Sequence, residues 1–202
     1  MVEYFVALIP EKKLYDKISE AKLRIYTEFG HQMYLLDPPH MTLYLGETNN
    51  IGKVTDIVKK IASEVKSAKI KIVDWLLFEN DKVTGKSAFA VKIDNVDELK
   101  KIQMKVISEV SKISKISKRY SSVKTFSDAE RNNLSKYGFP FVGKIWIPHF
   151  SFCSANKDVF YRIVKEIKLK EFMGTYKINK IEVFRLENDK SVKEREFELK
   201  QY

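Results

Sequence analysis

The sequence predicts an α+β fold built on mainly antiparallel sheet. Three observations lead there. Short runs such as His40–Leu45, Ile178–Leu186 and Val192–Leu199 alternate apolar and polar residues with the strand period of two. Longer stretches such as 11–29 and 95–117 repeat their apolar residues at helical spacing. The two patterns intermingle without the regular βαβ rhythm of a parallel sheet. The 202 residues fit one domain, with no linker and no low-complexity tract.

Taken in order, Tyr4–Ile9 reads as a buried strand halted by Pro10. Leu14, Ile18, Ala21, Ile25 and Phe29 give a helix over 11–29, with Gly30 as its C-cap. His40–Leu45 reads as a strand that stops at Gly46, and Asn50 as the cap of a helix over 51–67. Strands follow near 70–79 and 87–93. Asn95 with Glu98 resembles a capping box opening a helix to about Ser117. On it Leu99, Ile102, Val106, Val110 and Ile113 form one face, and Lys101, Lys105, Lys112 and Lys115 a basic stripe, read as a solvated face. Ser127-Asp128-Ala129-Glu130 marks a short helix in an otherwise irregular stretch reaching Ile145. A strand over Pro148–Cys153, a helix over 157–169 and two C-terminal strands complete the chain, with Asn188-Asp189-Lys190 as the hairpin gap.

Composition narrows the function. Apolar residues at 44% supply a core and charged residues at 32% a solvated surface. The lone Cys153 excludes an internal disulfide framework and a Cys-rich metal cage, and is read as a small buried residue. Without a basic leader or a span of membrane length, the expected setting is cytoplasmic, with no membrane partner. The formal net charge is +10, and residues 100–125 carry eight basic side chains against one acid, Glu109. Such an imbalance suits a polyanionic partner, because phosphate neutralisation releases counterions.

The chemistry is carried by a repeated pentad. Pro39-His40-Met41-Thr42-Leu43 and Pro148-His149-Phe150-Ser151-Phe152 each read proline, histidine, apolar, hydroxyl, apolar, and they use two of only three histidines. On strands, residues two apart share a face. His40, Thr42 and Tyr44 are therefore expected to point one way, as are His149, Ser151 and Cys153. Two imidazoles and two hydroxyls brought together suit phosphodiester chemistry without a metal or other cofactor. One neutral imidazole takes a proton from water or a ribose hydroxyl, the other as imidazolium gives one to the departing oxygen, and the hydroxyls hold phosphate oxygens. Either histidine fits either role. Neither pentad offers the His-x-His or His-x-Asp spacing of a metal site.

These pentads resemble the paired H-x-T/S signatures of the 2H phosphoesterase superfamily, which includes the 2′,5′ RNA ligase-like and 2′,3′-cyclic phosphodiesterase proteins. The resemblance extends to chain length, motif separation, the opening strand at Tyr4 and the order of elements. The run Tyr137-Gly138-Phe139-Pro140-Phe141-Val142-Gly143 leading into Trp146-Ile147-Pro148-His149 is similar to one branch of that superfamily. The resemblance implies a bilobal, pseudo-twofold domain over 1–202, its sheets lining a central cleft with helices outside. It also implies catalytic His40 and His149 with phosphate-binding Thr42 and Ser151. The chain departs from many RNA ligase-like members at Leu45-Gly46-Glu47, which follows the first pentad one residue early. Ile147 stands where an arginine is common, leaving Lys144 as the nearest cation.

Further substrate contacts are expected from Tyr44, Tyr34, Phe141 and Lys144, with Tyr137 and Phe139 as other aromatic candidates for stacking a base. His31 is read as structural or exposed. The reaction expected is metal-independent cleavage of RNA-type phosphodiesters, either 2′,3′-cyclic ends or 2′,5′ linkages, with RNA or a small nucleotide as substrate. The expected protein is a monomer without an obligate protein partner. The alternatives are a nucleotide- or RNA-binding module without turnover, and a hydrolase of cyclic or 2′,5′-linked oligonucleotide messengers.

Overall fold

The computed structural model describes residues 1–188 and 190–201. Along the chain come β1 (Val2–Pro10), α1 (Lys12–Phe29), β2 (Met41–Thr48), α2 (Ile51–Glu64), β3 (Ala68–Phe78) and β4 (Ser87–Asp94). Then follow α3 (Asp97–Val110), α4 (Lys118–Ser121), α5 (Asp128–Tyr137), β5 (His149–Ala155), α6 (Lys157–Glu166), β6 (Gly174–Glu187) and β7 (Lys190–Glu198). The strands join in one sheet in the order β2-β1-β6-β3-β4-β5, with β7 also on β6, and every ladder is antiparallel. The expected C-terminal hairpin is present as β6 and β7, although Asp189 in its gap lies outside the described residues.

The order hides a repeat. β1-α1-β2-α2-β3 is followed by β4-α3-β5-α6-β6, the second copy enlarged by the segment between α3 and β5. Each copy places its third strand beside the first strand of the other, so that β2-β1-β6 mirrors β5-β4-β3. The large core lies under the helices, where Leu14, Ile18, Ala21 and Ile25 of α1 meet Val54 and Val58 of α2, Leu99 and Val106 of α3, and Phe160 and Ile163 of α6. Each such fully buried Leu, Ile, Val or Phe side chain contributes about 1.5–3 kcal/mol.

Several local expectations change. β2 does not stop at Gly46 but runs on to Thr48. A Cβ at Gly46 would lie 2.8 Å from the Tyr44 ring and 3.0 Å from the Lys115 carbonyl oxygen, so close approach explains the glycine rather than chain reversal. Asn95 caps nothing. It sits at φ 61, Val96 is the N-cap of α3, and the true capping box is Ser127 with Glu130 at the start of α5. α3 ends at Val110, passes through a 3-10 turn over Ser111–Ile113, and Ser117 caps α4 instead of closing α3. Lys115 thereby leaves the helix and pairs its backbone with Glu47. The rest of the expected stripe is held by carboxylates: Lys101 by Glu98, Lys105 by Glu64 and Lys112 by Glu109. α2 and α6 likewise end a few residues early, at Glu64 and Glu166.

β2 and β5 stand at opposite ends of the strand order, yet they come within 8 Å of each other between Cα atoms. Two crossed ties hold them. The Trp146 indole, three residues before β5's histidine, donates to the Thr42 carbonyl in β2 at 3.0 Å. Met33, in the loop before β2, exchanges both backbone hydrogen bonds with Ser154 of β5, at 3.2 and 2.9 Å. The first tie satisfies a carbonyl that an edge strand otherwise leaves bare. A Trp146→Phe substitution keeps an aromatic ring in the core but removes that donor and part of the indole's volume. The expected result is a loss of about 1–3 kcal/mol in denaturant unfolding, with an unchanged m-value.

Candidate active site

The two pentads sit at equivalent places in the two repeats, and the equivalence reaches single residues. Thr42 pairs with Ala7 and Tyr44 with Val6, so Leu43 is the extra residue of a β-bulge. Ser151 pairs with Ala90 and Cys153 with Phe89, so Phe152 is the extra residue of a matching bulge. A bulge shifts the side-chain alternation by one residue. Thr42 therefore shares the face of Ala7, while Tyr44 turns with Val6 into the large core.

This corrects the expected grouping. Tyr44 is fully buried, its ring 5.6 Å from Phe139 and its hydroxyl bonded to the Tyr137 carbonyl at 3.0 Å. It does not stand beside His40. Cys153 is likewise buried in the core and not in line with Ser151, although its reading as a small buried residue holds. Leu45, cross-strand from Phe5, packs against the small cluster of Phe5, Ala7, Ile9 and Phe184 on the opposite face as well as against the large core.

That opposite face carries the histidines. His40 and His149 are both half-buried, as are Thr42 and Ser151. The His40 ring lies 4.8 Å from Phe5, which stacks at 4.7 Å on Phe184. The His149 ring lies 5.0 Å from Phe78, the counterpart of Phe184 in the other repeat. Ala7 and Ala90, both fully buried, stand cross-strand from the hydroxyl residues, where a larger side chain would crowd the rings.

Each imidazole is fixed in the same way. His40 Nδ1 lies 2.8 Å from the Pro38 carbonyl oxygen and His149 Nδ1 2.7 Å from that of Ile147. A carbonyl only accepts, so Nδ1 carries the proton in both, and Nε2 of the neutral ring keeps a lone pair that accepts from no described residue. The hydroxyls of Thr42 and Ser151 carry no hydrogen bond to another described residue. Burial pushes His40 down to about 4; Asp37 and the Pro38 carbonyl oppose it, while Lys22 and His149 assist. Burial also lowers His149, against the Ile147 carbonyl and Asp81.

Lys22 fastens the approach to the first pentad. It is buried, donates to the carbonyls of Tyr34 and Asp37, both at 2.8 Å, and is lowered to about 8 by burial. Tyr34 is half-buried at φ 70 within this loop. Phe141 packs edge-on against Tyr120, Phe126 and Phe139, and Phe139 is buried. Lys144 is exposed in a 3-10 turn over Gly143–Ile145, and His31 is exposed beyond the end of α1. Among the described residues no group of three or more His, Cys, Asp or Glu side chains could hold a metal ion. Sequence reasoning missed Trp146, Met33, Lys22, Ala7, Ala90 and the phenylalanine supports. Of these only Trp146, close ahead of the second pentad, stood near a recognised signal.

No protein-family model matches the sequence, and no curated protein matches it significantly. Solved structures do. TT0787 of Thermus thermophilus aligns with a TM-score of 0.59 at 12% identity, over 98% of this chain and 97% of that one. E. coli LigT, crystallised with 3′-AMP, aligns at 0.57 and 9% identity over 99% of each chain. A protein described as a phosphoesterase aligns at 0.58 and 10% identity, again over 99% of each. The shared architecture is the 2H phosphoesterase-like fold that the pentads imply.

The depressed His40 has a stability consequence. Its ordinary value is 6.5 and its folded value about 4, so between these the unfolded chain binds more protons. The fold is then favoured fully above pH 6.5 and progressively less as pH falls toward 4. Glu182, raised to about 7 chiefly by burial, works in the opposite sense across much of this window. The test is therefore differential. His40→Gln is expected to flatten the fall in unfolding free energy between pH 6.5 and 4 relative to wild type, and parallel curves would contradict it.

Proposed function

We propose that this chain is a metal-independent phosphodiesterase acting on RNA-type phosphodiesters, either 2′,3′-cyclic phosphate ends or 2′,5′ linkages. One observation carries the reading: two imidazoles and two hydroxyls, with neither Nε2 nor either hydroxyl bonded to a described residue, occupy equivalent positions on strands that meet. The fold shared with E. coli LigT, a protein crystallised with 3′-AMP, supports a nucleotide-sized ligand between them.

For a 2′,3′-cyclic phosphate the steps balance with these groups alone. A neutral imidazole takes the proton of water as the water oxygen bonds to phosphorus. The bond from phosphorus to one ribose oxygen breaks, and the imidazolium opposite gives that oxygen its proton, leaving a ribose hydroxyl and a phosphomonoester. Thr42 and Ser151 donate to the non-bridging oxygens where charge accumulates. The tautomer lock matters here, because an imidazole with Nδ1–H on a carbonyl can only accept or give its working proton at Nε2.

His40→Ala and His149→Ala are each expected to lower turnover by roughly 10²–10⁴-fold. Thr42→Ala and Ser151→Ala are expected to cost about 1.5–3 kcal/mol each in transition-state binding. Because burial lowers both imidazoles, the bell-shaped profile of kcat/KM should centre on the acid side of 6.5. EDTA should leave the rate unchanged. A panel of 2′,3′-cyclic nucleotides, cyclic-ended RNAs, 2′,5′-linked oligonucleotides and cyclic oligonucleotides, with product ends identified, selects the substrate class. Tight binding with no turnover across that panel would replace the enzyme reading with a binding module.

A further inference from the structure

The repeat that places the histidines is symmetric in its reacting groups and asymmetric beside them. Ala7 and Ala90 are equivalent, so Ile9 and Lys92, two residues further along β1 and β4, are equivalent as well. Ile9 is buried among Phe5, Ala7 and Phe184. Lys92 is exposed and pairs directly with His149 across the ladder, so both project from one face. The His149 ring leans toward Phe78, which pairs with Ala88, and therefore away from the Lys92 end of the strand. Lys92 makes no ion pair with a described residue. Asp74, paired with it in β3, turns Oδ1 onto the Trp75 N–H at 2.8 Å. Asp94, two residues on, does the same to the Asn95 N–H at 2.9 Å.

An unengaged ammonium on the reacting face, where the sister repeat has a buried isoleucine, calls for an anionic partner. Lys92 is one strand over from His149 and two residues along from the Ala90–Ser151 row, a separation of about 6.7 Å along the strand. With the His149 ring leaning toward Phe78, a Lys92 side chain extended away from the Ser151 row carries its ammonium to the far side of the imidazole, at a spacing comparable to the step between neighbouring phosphates of an extended nucleic-acid strand. We propose that Lys92 forms a second-phosphate subsite beside His149, which binds the phosphodiester adjacent to the reacting one and selects oligonucleotides over mononucleotides. The inference rests on the phosphodiesterase reading above and adds the substrate's minimum length, at least two phosphates.

The test compares three substrates: a 2′,3′-cyclic mononucleotide, a dinucleotide ending in a 2′,3′-cyclic phosphate, and that dinucleotide with an uncharged methylphosphonate linkage. The wild type is expected to favour the charged dinucleotide over the methylphosphonate by roughly 10-fold or more in kcat/KM, mainly through KM. Lys92→Met, which keeps the stem, should bring the two dinucleotides level and leave the mononucleotide unchanged, and Lys92→Arg should restore the preference. The salt dependence of kcat/KM on the charged dinucleotide should also flatten by roughly 0.7 in log–log slope. An undiminished preference in Lys92→Met, or an equal loss on all three substrates, overturns the subsite. If the wild type turns over none of them and no 2′,5′-linked oligonucleotide either, the phosphodiesterase reading falls. The subsite is then decided by equilibrium binding of dinucleotides ending in a 3′-phosphate, with and without the methylphosphonate, and equal wild-type affinity for the two overturns it.

Discussion

The site depends on the closure of the sheet's ends. Six strands run from β2 to β5, and an open antiparallel sheet would leave those two at its far edges. The indole of Trp146 on the Thr42 carbonyl, and the paired bonds of Met33 and Ser154, bring them together instead. Both ties involve segments flanking a pentad, so whatever holds the sheet closed also fixes the histidines relative to each other. Neither tie is strong alone, since a net hydrogen bond contributes only about 0.5–1.5 kcal/mol. Their effect comes from acting on strands already positioned by a continuous core, which leaves the edges little freedom to part.

Once the ends meet, the bulges at Leu43 and Phe152 decide what faces what. Without them each pentad would carry its alternation through to Tyr44 and Cys153, setting a phenol and a thiol beside the imidazoles. With them, the hydroxyl residue stays on the histidine face while the tyrosine or cysteine two residues on turns into the core. Ala7 and Ala90 complete the device. A strand residue cross-paired with the hydroxyl must be small if the imidazole is to lean back on phenylalanine and direct Nε2 outward. Burial then lowers both histidines below their ordinary value.

Much of this was legible in the chain. The pentads pointed to the histidines and hydroxyls because two copies of a five-residue pattern are hard to explain by packing. The strands and helices followed from period and caps, as at Asn50 and Ser127. Expectation failed where tertiary contact overrides local pattern. Gly46 reads as a stop when taken alone and as a clearance once Lys115 approaches. Asn95 and Glu98 have capping-box spacing, yet the backbone enters left-handed geometry at Asn95 and the helix begins one residue later. The bulges carry no single-sequence signal, since the extra residue is an ordinary Leu or Phe; register alone reveals it. Lys92 was invisible for the same reason, since one lysine in β4 stands out only when its cross-strand partner is known to be His149.

The central claim is that both Nε2 atoms address one anion. Long-range proton–nitrogen NMR of the imidazoles during titration with inorganic phosphate tests it most directly. His40 and His149 are both expected to begin as Nδ1–H tautomers, and their Nε2 resonances to move together along one binding curve. A ring that starts as the Nε2–H tautomer, or a shift confined to one histidine, would contradict it.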